Sequence, residues 1–112
     1  MNLQITQEQH GQVNILVITG RLDSTNSESF ETLLTNLINA GTSQILIDGT
    51  QMAYISSAGL RILLMIAKQL NRTRGRIVLC GLNESVKKVF DLTGLTGIFP
   101  LCATREEGLK SF

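Results

Sequence analysis

Three short stretches of the chain are almost entirely apolar and rich in β-branched residues, a pattern typical of strands covered on both faces. They occupy residues 13–20, 45–47 and 76–80. Upstream of the first stretch, Leu3 and Ile5 alternate with polar neighbours, as in a strand with one solvated face. A turn through His10, Gly11 and Gln12 would join the two segments. We therefore predict an edge strand and a hairpin ahead of a buried sheet.

Between these strands the apolar period changes to that of an amphipathic helix. In the first such segment the apolar residues recur three and four positions apart, at Phe30, Leu33, Leu34, Leu37 and Ile38. Thr25 and Glu28 match a capping box, which predicts the beginning of this helix, and Gly41 predicts its end. A second, strongly apolar helix is predicted over residues 57–71.

The last third of the chain repeats this alternation. Asn83 predicts the cap of a third helix that stops at Gly94, and its buried face would contain Val86, Val89 and Phe90. A last short strand is predicted over residues 98–101. Thr104 and Glu107 match another capping box. The terminal helix that they open would bury Leu109 and Phe112.

Strands that alternate with helices predict parallel pairing through right-handed crossovers, here with an antiparallel hairpin at the start. The predicted fold is a small single α/β domain over residues 1–112, with a mixed sheet of four to five strands and about four α-helices packed against it. In open sheets, functional groups gather beyond the carboxyl ends of the strands. The loops at 22–25, 48–57 and 81–84 should therefore meet at one edge.

Composition narrows the class of function. Hydrophobic residues make up 43% of the 112 residues, charged residues 17%, and the net charge is +1, which gives no indication of nucleic-acid or membrane-surface binding. No apolar run reaches the roughly 18 residues of a membrane span, and residues 1–6 lack the features of a secretion signal, so we expect a cytosolic protein. Cys80, Cys102 and the sole histidine, His10, do not have the spacing of a zinc site. We expect two reduced packing cysteines and no metal or other cofactor.

The helix predicted at 57–71 has more apolar residues than one buried stripe requires. A complete core face is formed by Leu60, Leu63, Leu64, Ala67 and Leu70. A neighbouring stripe contains Ile62, Met65, Ile66 and Gln69, and basic residues border it at Arg61, Lys68 and Arg72. One interpretation is that the helix contacts two core elements. The other is that part of Ile62, Met65 and Ile66 stays exposed as a protein interface.

Two hydroxyl residues, Ser56 and Ser57, stand at the beginning of this helix. Either could cap it, because unpaired backbone N–H groups at a helix N-terminus need acceptors. The same groups and the helix dipole also favour a phosphate there. Gly59, in the first turn, costs about 1 kcal/mol relative to alanine, which indicates that a neighbouring loop or a partner approaches the backbone closely.

The segment Tyr-Ile-Ser-Ser-Ala-Gly-Leu-Arg at 54–61, preceded by Ile-Leu-Ile-Asp at 45–48, resembles the signature of STAS domains of bacterial anti-sigma factor antagonists. Ile-Thr-Gly-Arg-Leu-Asp-Ser at 18–24 is similar to the exit of the family's second strand, and residues 86–95 are similar to its third helix. In order and spacing the resemblance covers nearly the whole chain.

The resemblance implies a switch protein without catalysis of its own. Such a protein, when dephosphorylated, binds an anti-sigma factor that is also a serine kinase of the histidine-kinase-like ATPase type, and thereby frees the sigma factor. The kinase phosphorylates the antagonist, which then dissociates, and a protein phosphatase 2C-type serine phosphatase removes the phosphate so that the antagonist can bind again. A monomer is expected.

The family motif also implies roles for individual residues. Aligning Gly59 and Leu60 puts Ser57 at the phosphorylated position, with Ser56, the less favoured phosphorylation site, where the family usually has aspartate. The role of that aspartate is either absent here or assumed by Ser56 or Asp48. The expected partner-binding residues are Asp23, Ser56, Gly59, Arg61, Ile62, Met65 and Ile66.

Two other classes of function are weighed against the switch. An enzyme with Ser57 as nucleophile would lack a Gly-x-Ser-x-Gly elbow and has no histidine near that serine in sequence; no phosphate-binding Gly-x-x-x-x-Gly-Lys loop is present either. We expect no catalytic residues. The alternative that stays open is an accessory STAS subunit of a transporter or of another signalling assembly, which would use much the same helix surface.

Overall fold

The fold consists of five strands and four α-helices, as seen in a computed structural model that describes residues 3–112. The strands are β1 (Gln4–His10), β2 (Val13–Leu22), β3 (Gln44–Ile55), β4 (Arg76–Cys80) and β5 (Leu101–Cys102). The helices are α1 (Ser27–Asn39), α2 (Ser57–Arg72), α3 (Glu84–Leu92) and α4 (Arg105–Leu109). Residues 1 and 2, part of the segment examined for a secretion signal, lie outside the described residues.

The strands form one mixed sheet in the order β1-β2-β3-β4-β5. β1 pairs with β2 in an antiparallel hairpin, whose turn contains Gly11 at a φ of 60°. The remaining neighbours are parallel and are joined by crossovers through α1, α2 and α3. The predicted α/β class, the initial hairpin and the parallel crossovers are confirmed.

Two hydrophobic clusters lie on opposite faces of the sheet, because adjacent strand residues such as Ile45 and Leu46 belong to different clusters. The larger cluster packs the strands against α1, α2 and α3. The smaller one packs them against the C-terminal segment, where Leu109 and Phe112 are half-buried. Within residues 3–112, none of the helices combines the length and apolarity that crossing a lipid bilayer requires.

The predicted cap of α1 is wrong. The helix begins at Ser27 rather than directly after Thr25. Thr25 instead donates two hydrogen bonds, from its backbone N–H and its hydroxyl, to the Asp23 carboxylate. Asn26 folds back to accept a hydrogen bond from the Asp23 N–H at 3.0 Å. These side chain–backbone bonds build a turn that delays the helix.

The segment 48–57, expected as a loop, is mostly strand. β3 continues to Ile55 because its polar second half pairs with the end of β2, from Thr19 opposite Gln51 to Leu22 opposite Ile55. Backbone pairing in the ladder outweighs the low hydrophobicity of this half. The last strand also differs from its predicted span of 98–101, since a 3₁₀ turn (Leu95–Gly97) follows α3 and β5 begins only after Pro100.

Candidate functional site

The N-terminus of α2 lies where β2 and β3 both end. The Ser56 N–H donates to the Leu22 carbonyl at 2.9 Å, so the residue that precedes the helix is tied to the neighbouring strand. Leu22 and Ile55 are the last paired residues of the two strands. The start of the helix is therefore held at the carboxyl edge of the sheet, where functional groups are expected in this architecture.

Ser56 is the cap of α2. Its backbone is extended, with φ −95° and ψ 173°, and its hydroxyl oxygen accepts a hydrogen bond from the Gly59 N–H at 3.4 Å. Ser57 is the first helical residue; it is exposed, and its hydroxyl has no hydrogen-bond partner within residues 3–112. The two serines thus divide the roles: one is occupied by capping and the other presents a free hydroxyl.

Gly59 has a structural reason to be glycine. A Cβ atom at this position would lie 2.8 Å from Leu22 Cγ and 3.0 Å from Ile55 Cγ1, closer than side-chain packing allows. Gly59 is buried in the first turn of α2, facing the two strand ends, and its contact with a partner stays a prediction. Its closeness to the core is what allows α2 to begin directly at the sheet edge.

Of the three apolar residues expected to stay partly exposed, Ile62 and Ile66 are buried instead. Ile62 is 4% exposed and Ile66 is fully buried. α2 packs against both the sheet and α1, so its buried face is broader than one stripe and is centred away from Leu64 and Ala67, which are half-exposed. Contact of α2 with two core elements therefore explains the burial of Ile62 and Ile66, whereas Met65 is only half-buried and its role as a partner contact stays a prediction.

A narrower stripe of α2 faces solvent, starting at Ser57. Its members recur three and four positions apart, as one side of a helix requires; they are Ser57, Arg61, Leu64, Met65 and Lys68. Of the expected partner-binding residues, Arg61 is exposed and Met65 is half-buried within this stripe. The exposed part of the predicted interface is therefore basic and only partly apolar.

Asp23 stands in the turn after β2, directly after Leu22, whose carbonyl accepts the hydrogen bond from Ser56. Hydrogen bonds from the hydroxyl and the backbone N–H of Thr25 hold the pKa of the Asp23 carboxyl below its ordinary value, and nearby Arg21 adds to the effect. The carboxylate is thus ionised and shapes the turn. Its second oxygen lies 3.9 Å from Arg21 Nε, a loose and solvent-exposed ion pair.

Arg21 and Tyr54 form a stacked pair that the sequence analysis missed. They are opposite each other on β2 and β3, and the Arg21 guanidinium lies 4.1 Å from the centroid of the Tyr54 ring. Both side chains are solvent-exposed. The sequence contains both residues in the segments that resemble the family, but their pairing depends on a register shift between Gly20 and Arg21 that no local pattern predicts.

Asp48 is not accessible to replace the family's aspartate. Its carboxylate is buried beneath α4, where it accepts two hydrogen bonds from Thr50, at 3.0 and 2.6 Å, and two from Arg105, at 3.1 and 2.9 Å. Burial alone would raise the pKa of this carboxyl, but the bonds from Thr50 and Arg105 outweigh it and lower the pKa. Of the two replacements considered, only Ser56 stands at the helix N-terminus.

The arrangement limits the chemistry of Ser57. His10 ends β1 and pairs with Val13 at the start of β2, whereas Ser57 lies beyond the end of that strand. The 10 residues of β2 span about 30 Å, so His10 cannot activate the serine. No group of three or more histidine, cysteine or acidic side chains in the described part of the chain is placed to hold a metal ion. The fold and site define a small mixed-sheet α/β domain with an exposed serine at a helix N-terminus.

Comparison with known proteins agrees with this class. The STAS domain family model matches residues 4–108, so the chain belongs to the STAS domain family. It is 34% identical, over 98% of its length and 95% of the relative's, to BtrV of Bordetella bronchiseptica, which is named as a candidate anti-sigma factor antagonist.

Solved structures show the same fold. A candidate anti-sigma factor antagonist from Thermotoga maritima superimposes with a TM-score of 0.92, at 24% identity, over 96% of this chain and 92% of that one. The Bacillus cell fate determinant SpoIIAA, in its phosphorylated form, gives a TM-score of 0.76 at 23% identity, over 96% and 98% of the two chains.

Proposed function

We propose that this chain is an anti-sigma factor antagonist that acts as a phosphorylation-controlled protein-binding switch, with Ser57 as the modified residue. The observation that carries the proposal is the division between the two serines. Ser56 is occupied as the cap, whereas Ser57 presents an exposed hydroxyl without a hydrogen-bond partner in the described residues. The names of the relatives and the phosphorylated state of SpoIIAA support the same class of function.

In this proposal, the unphosphorylated chain binds an anti-sigma factor that is also a serine kinase of the histidine-kinase-like ATPase type, and frees that factor's target. The kinase then transfers the γ-phosphoryl group of ATP to the Ser57 oxygen and releases ADP. A protein phosphatase 2C-type enzyme hydrolyses the phosphoserine. The chain itself supplies the hydroxyl and the docking surface, and no catalytic group.

The phosphate would act locally. Helix N-terminal N–H groups and the dipole accommodate an anion at Ser57, so the domain keeps its fold. In the complex, the same anion of about −1.5 to −2 charges is placed against a surface that fits a neutral serine. Like-charge juxtaposition costs several kcal/mol, and because about 1.4 kcal/mol is tenfold in affinity, binding should weaken by two orders of magnitude or more.

The first experiment is intact-mass spectrometry with site mapping on protein isolated from its native cells, with and without phosphatase treatment. We expect a phosphate on Ser57 that is absent from Ser57→Ala and retained in Ser56→Ala. If no condition of growth or stress yields phosphate on Ser57, the proposed switch is contradicted, and the alternative of an accessory subunit is favoured.

A binding experiment tests the consequence. Ser57→Asp should weaken binding to the cognate kinase at least a hundredfold without lowering the melting temperature, since an acidic residue in the first turn favours the helix. Ser57→Asn is the matched control, because it has the same shape without the charge, and it should retain most of the affinity. Equal kinase affinity of the wild type and Ser57→Asp would count against the proposal.

A further inference from the structure

The stacked Arg21–Tyr54 pair has a charge that its surroundings only partly neutralise. Arg21 has one acidic contact within residues 3–112, Asp23 at 3.9 Å, and 47% of the Arg21 side chain is exposed. The Asp23 carboxylate is already engaged by Thr25. At such a distance and exposure an ion pair contributes little, so the guanidinium retains its capacity to pair with another acid.

The pair is also ordered before any partner arrives. Stacking on the Tyr54 ring at 4.1 Å restricts the guanidinium to one region, while 39% of Tyr54 stays exposed. Ordering a long side chain on binding costs about 0.5–1.5 kcal/mol, and part of that cost is already met here. Arginine and tyrosine are both enriched among the residues that dominate binding energy at protein interfaces.

The pair lies close to Ser57, at the same carboxyl edge of the sheet. Arg21 and Tyr54 precede Leu22 and Ile55, the strand ends to which Ser56 is tied. Two or three residues along adjacent strands correspond to a backbone separation on the order of 10 Å. The Arg21 and Tyr54 side chains point to the sheet face opposite α2, since they alternate with Leu22 and Ile55 of the larger cluster. A standard interface covers about 800 Å² per partner, a disc of radius about 16 Å, so a partner that wraps over the strand ends can contact both Ser57 and this pair.

We propose that Arg21, held in place by Tyr54, is a specificity-determining contact of the surface around Ser57 and pairs with an acidic side chain of the anti-sigma serine kinase. This inference rests on the proposed function. The acid is favoured as partner because Arg61, the nearest exposed charge on α2, is also basic and has no ion pair in the described residues. The two arginines therefore present like charges on either side of the strand ends.

The test uses purified histidine-kinase-like serine kinases encoded in the source genome, each titrated against the wild-type chain by calorimetry. With the kinase that binds, Arg21→Glu should weaken affinity at least a hundredfold and Arg21→Gln about tenfold. Tyr54→Ala should weaken it severalfold because Arg21 loses its support, whereas Tyr54→Phe keeps the ring and should change little. Arg72→Glu, about 22 Å from Ser57 along α2, is the matched charge reversal and should stay within threefold.

The outcomes separate the two proposals. If no kinase binds the wild type, the proposed function fails and the inference fails with it. If a kinase binds and Arg21→Glu stays within threefold of wild type, the inference is overturned while the function stands. Replacing acidic surface residues of that kinase by lysine should identify one that restores binding to Arg21→Glu, and complete failure of this charge exchange would also overturn the pairing. Melting temperatures within a few degrees of wild type would establish that the variants are folded.

Discussion

Replacing Arg105 by methionine should weaken the attachment of α4 to the sheet and lower the free energy of unfolding. Arg105 donates to two acids of very different exposure: Asp48, whose side chain is 9% exposed, and Glu8, whose side chain is 45% exposed. Methionine removes the charge and the donors but keeps most of the apolar stem. In Arg105→Met the buried Asp48 carboxylate would keep only its bonds from Thr50.

The expected cost follows from that contrast. Two hydrogen bonds to a buried carboxylate contribute roughly 1.5–3 kcal/mol each, and we take the low end because a third of Arg105 faces solvent and screens the charge. The free energy of unfolding should fall by about 2–3 kcal/mol, or about 8–12 °C in melting temperature for a domain of this size. Glu8→Gln, which breaks only the exposed pair, should cost under about 1 kcal/mol.

The pH dependence gives a second readout with a definite sign. The folded-state pKa of Asp48 is lowered by Thr50 and Arg105 despite burial, so the stabilisation is present above the ordinary pKa of about 3.9 and is lost as pH falls through the folded value. The deficit of Arg105→Met, measured by urea unfolding, should therefore be largest near neutral pH and shrink towards pH 3. Equal stability of Arg105→Met and Glu8→Gln, or a deficit that does not change between pH 3 and 7, would refute this reasoning.

Two further substitutions test how the site is supported. Asn83→Ala removes two hydrogen bonds: the cap of α3, in which the Val86 N–H donates to the Asn83 side chain at 2.8 Å, and the bond from Asn83 to the Met52 carbonyl at 3.0 Å. Urea unfolding should show a loss of about 2–3 kcal/mol in the free energy of unfolding. Asn83→Asp keeps the cap and should lose about half as much. Gly59→Val should lower the free energy of unfolding by about 2 kcal/mol through overpacking against Leu22 and Ile55, whereas Ala58→Val should cost well under 1 kcal/mol. Thermal melting would contradict the packing argument if these two valine variants were equally stable.

Much of the fold follows from local pattern. The buried strands, the caps at Asn83 and Thr104, and the start of α2 are predictable because apolar runs and capping side chains act over a few residues. The second half of β3 is not predictable in this way. It is strand because β2 extends beside it, and a partner distant in sequence leaves no local signal.

The candidate site likewise contains residues that local sequence predicts and residues whose placement depends on distant partners. Ser56 and Ser57 are recognisable from sequence, since capping depends on neighbours three residues away. The burial of Ile62 and Ile66 instead depends on α1 lying beside α2, and periodicity cannot decide which of two adjacent apolar stripes is covered. The Arg21–Tyr54 pair depends on strand register. The sequence thus locates the candidate serine, whereas the surface around it depends on the tertiary packing.

The replacement of the family's aspartate by Ser56 fits a switch that acts without refolding. α2 has no acidic residue in its first turn, whereas α1, α3 and α4 each have at least one. An aspartate at the cap would place a carboxylate beside the phosphate, but the neutral Ser56 hydroxyl makes the capping bond without that repulsion. Arg61, one turn further along, lies on the same side of the helix as Ser57. In the proposed switch, the free domain would accommodate the phosphate at little cost, so nearly all of the repulsion would act in the complex and weaken binding there.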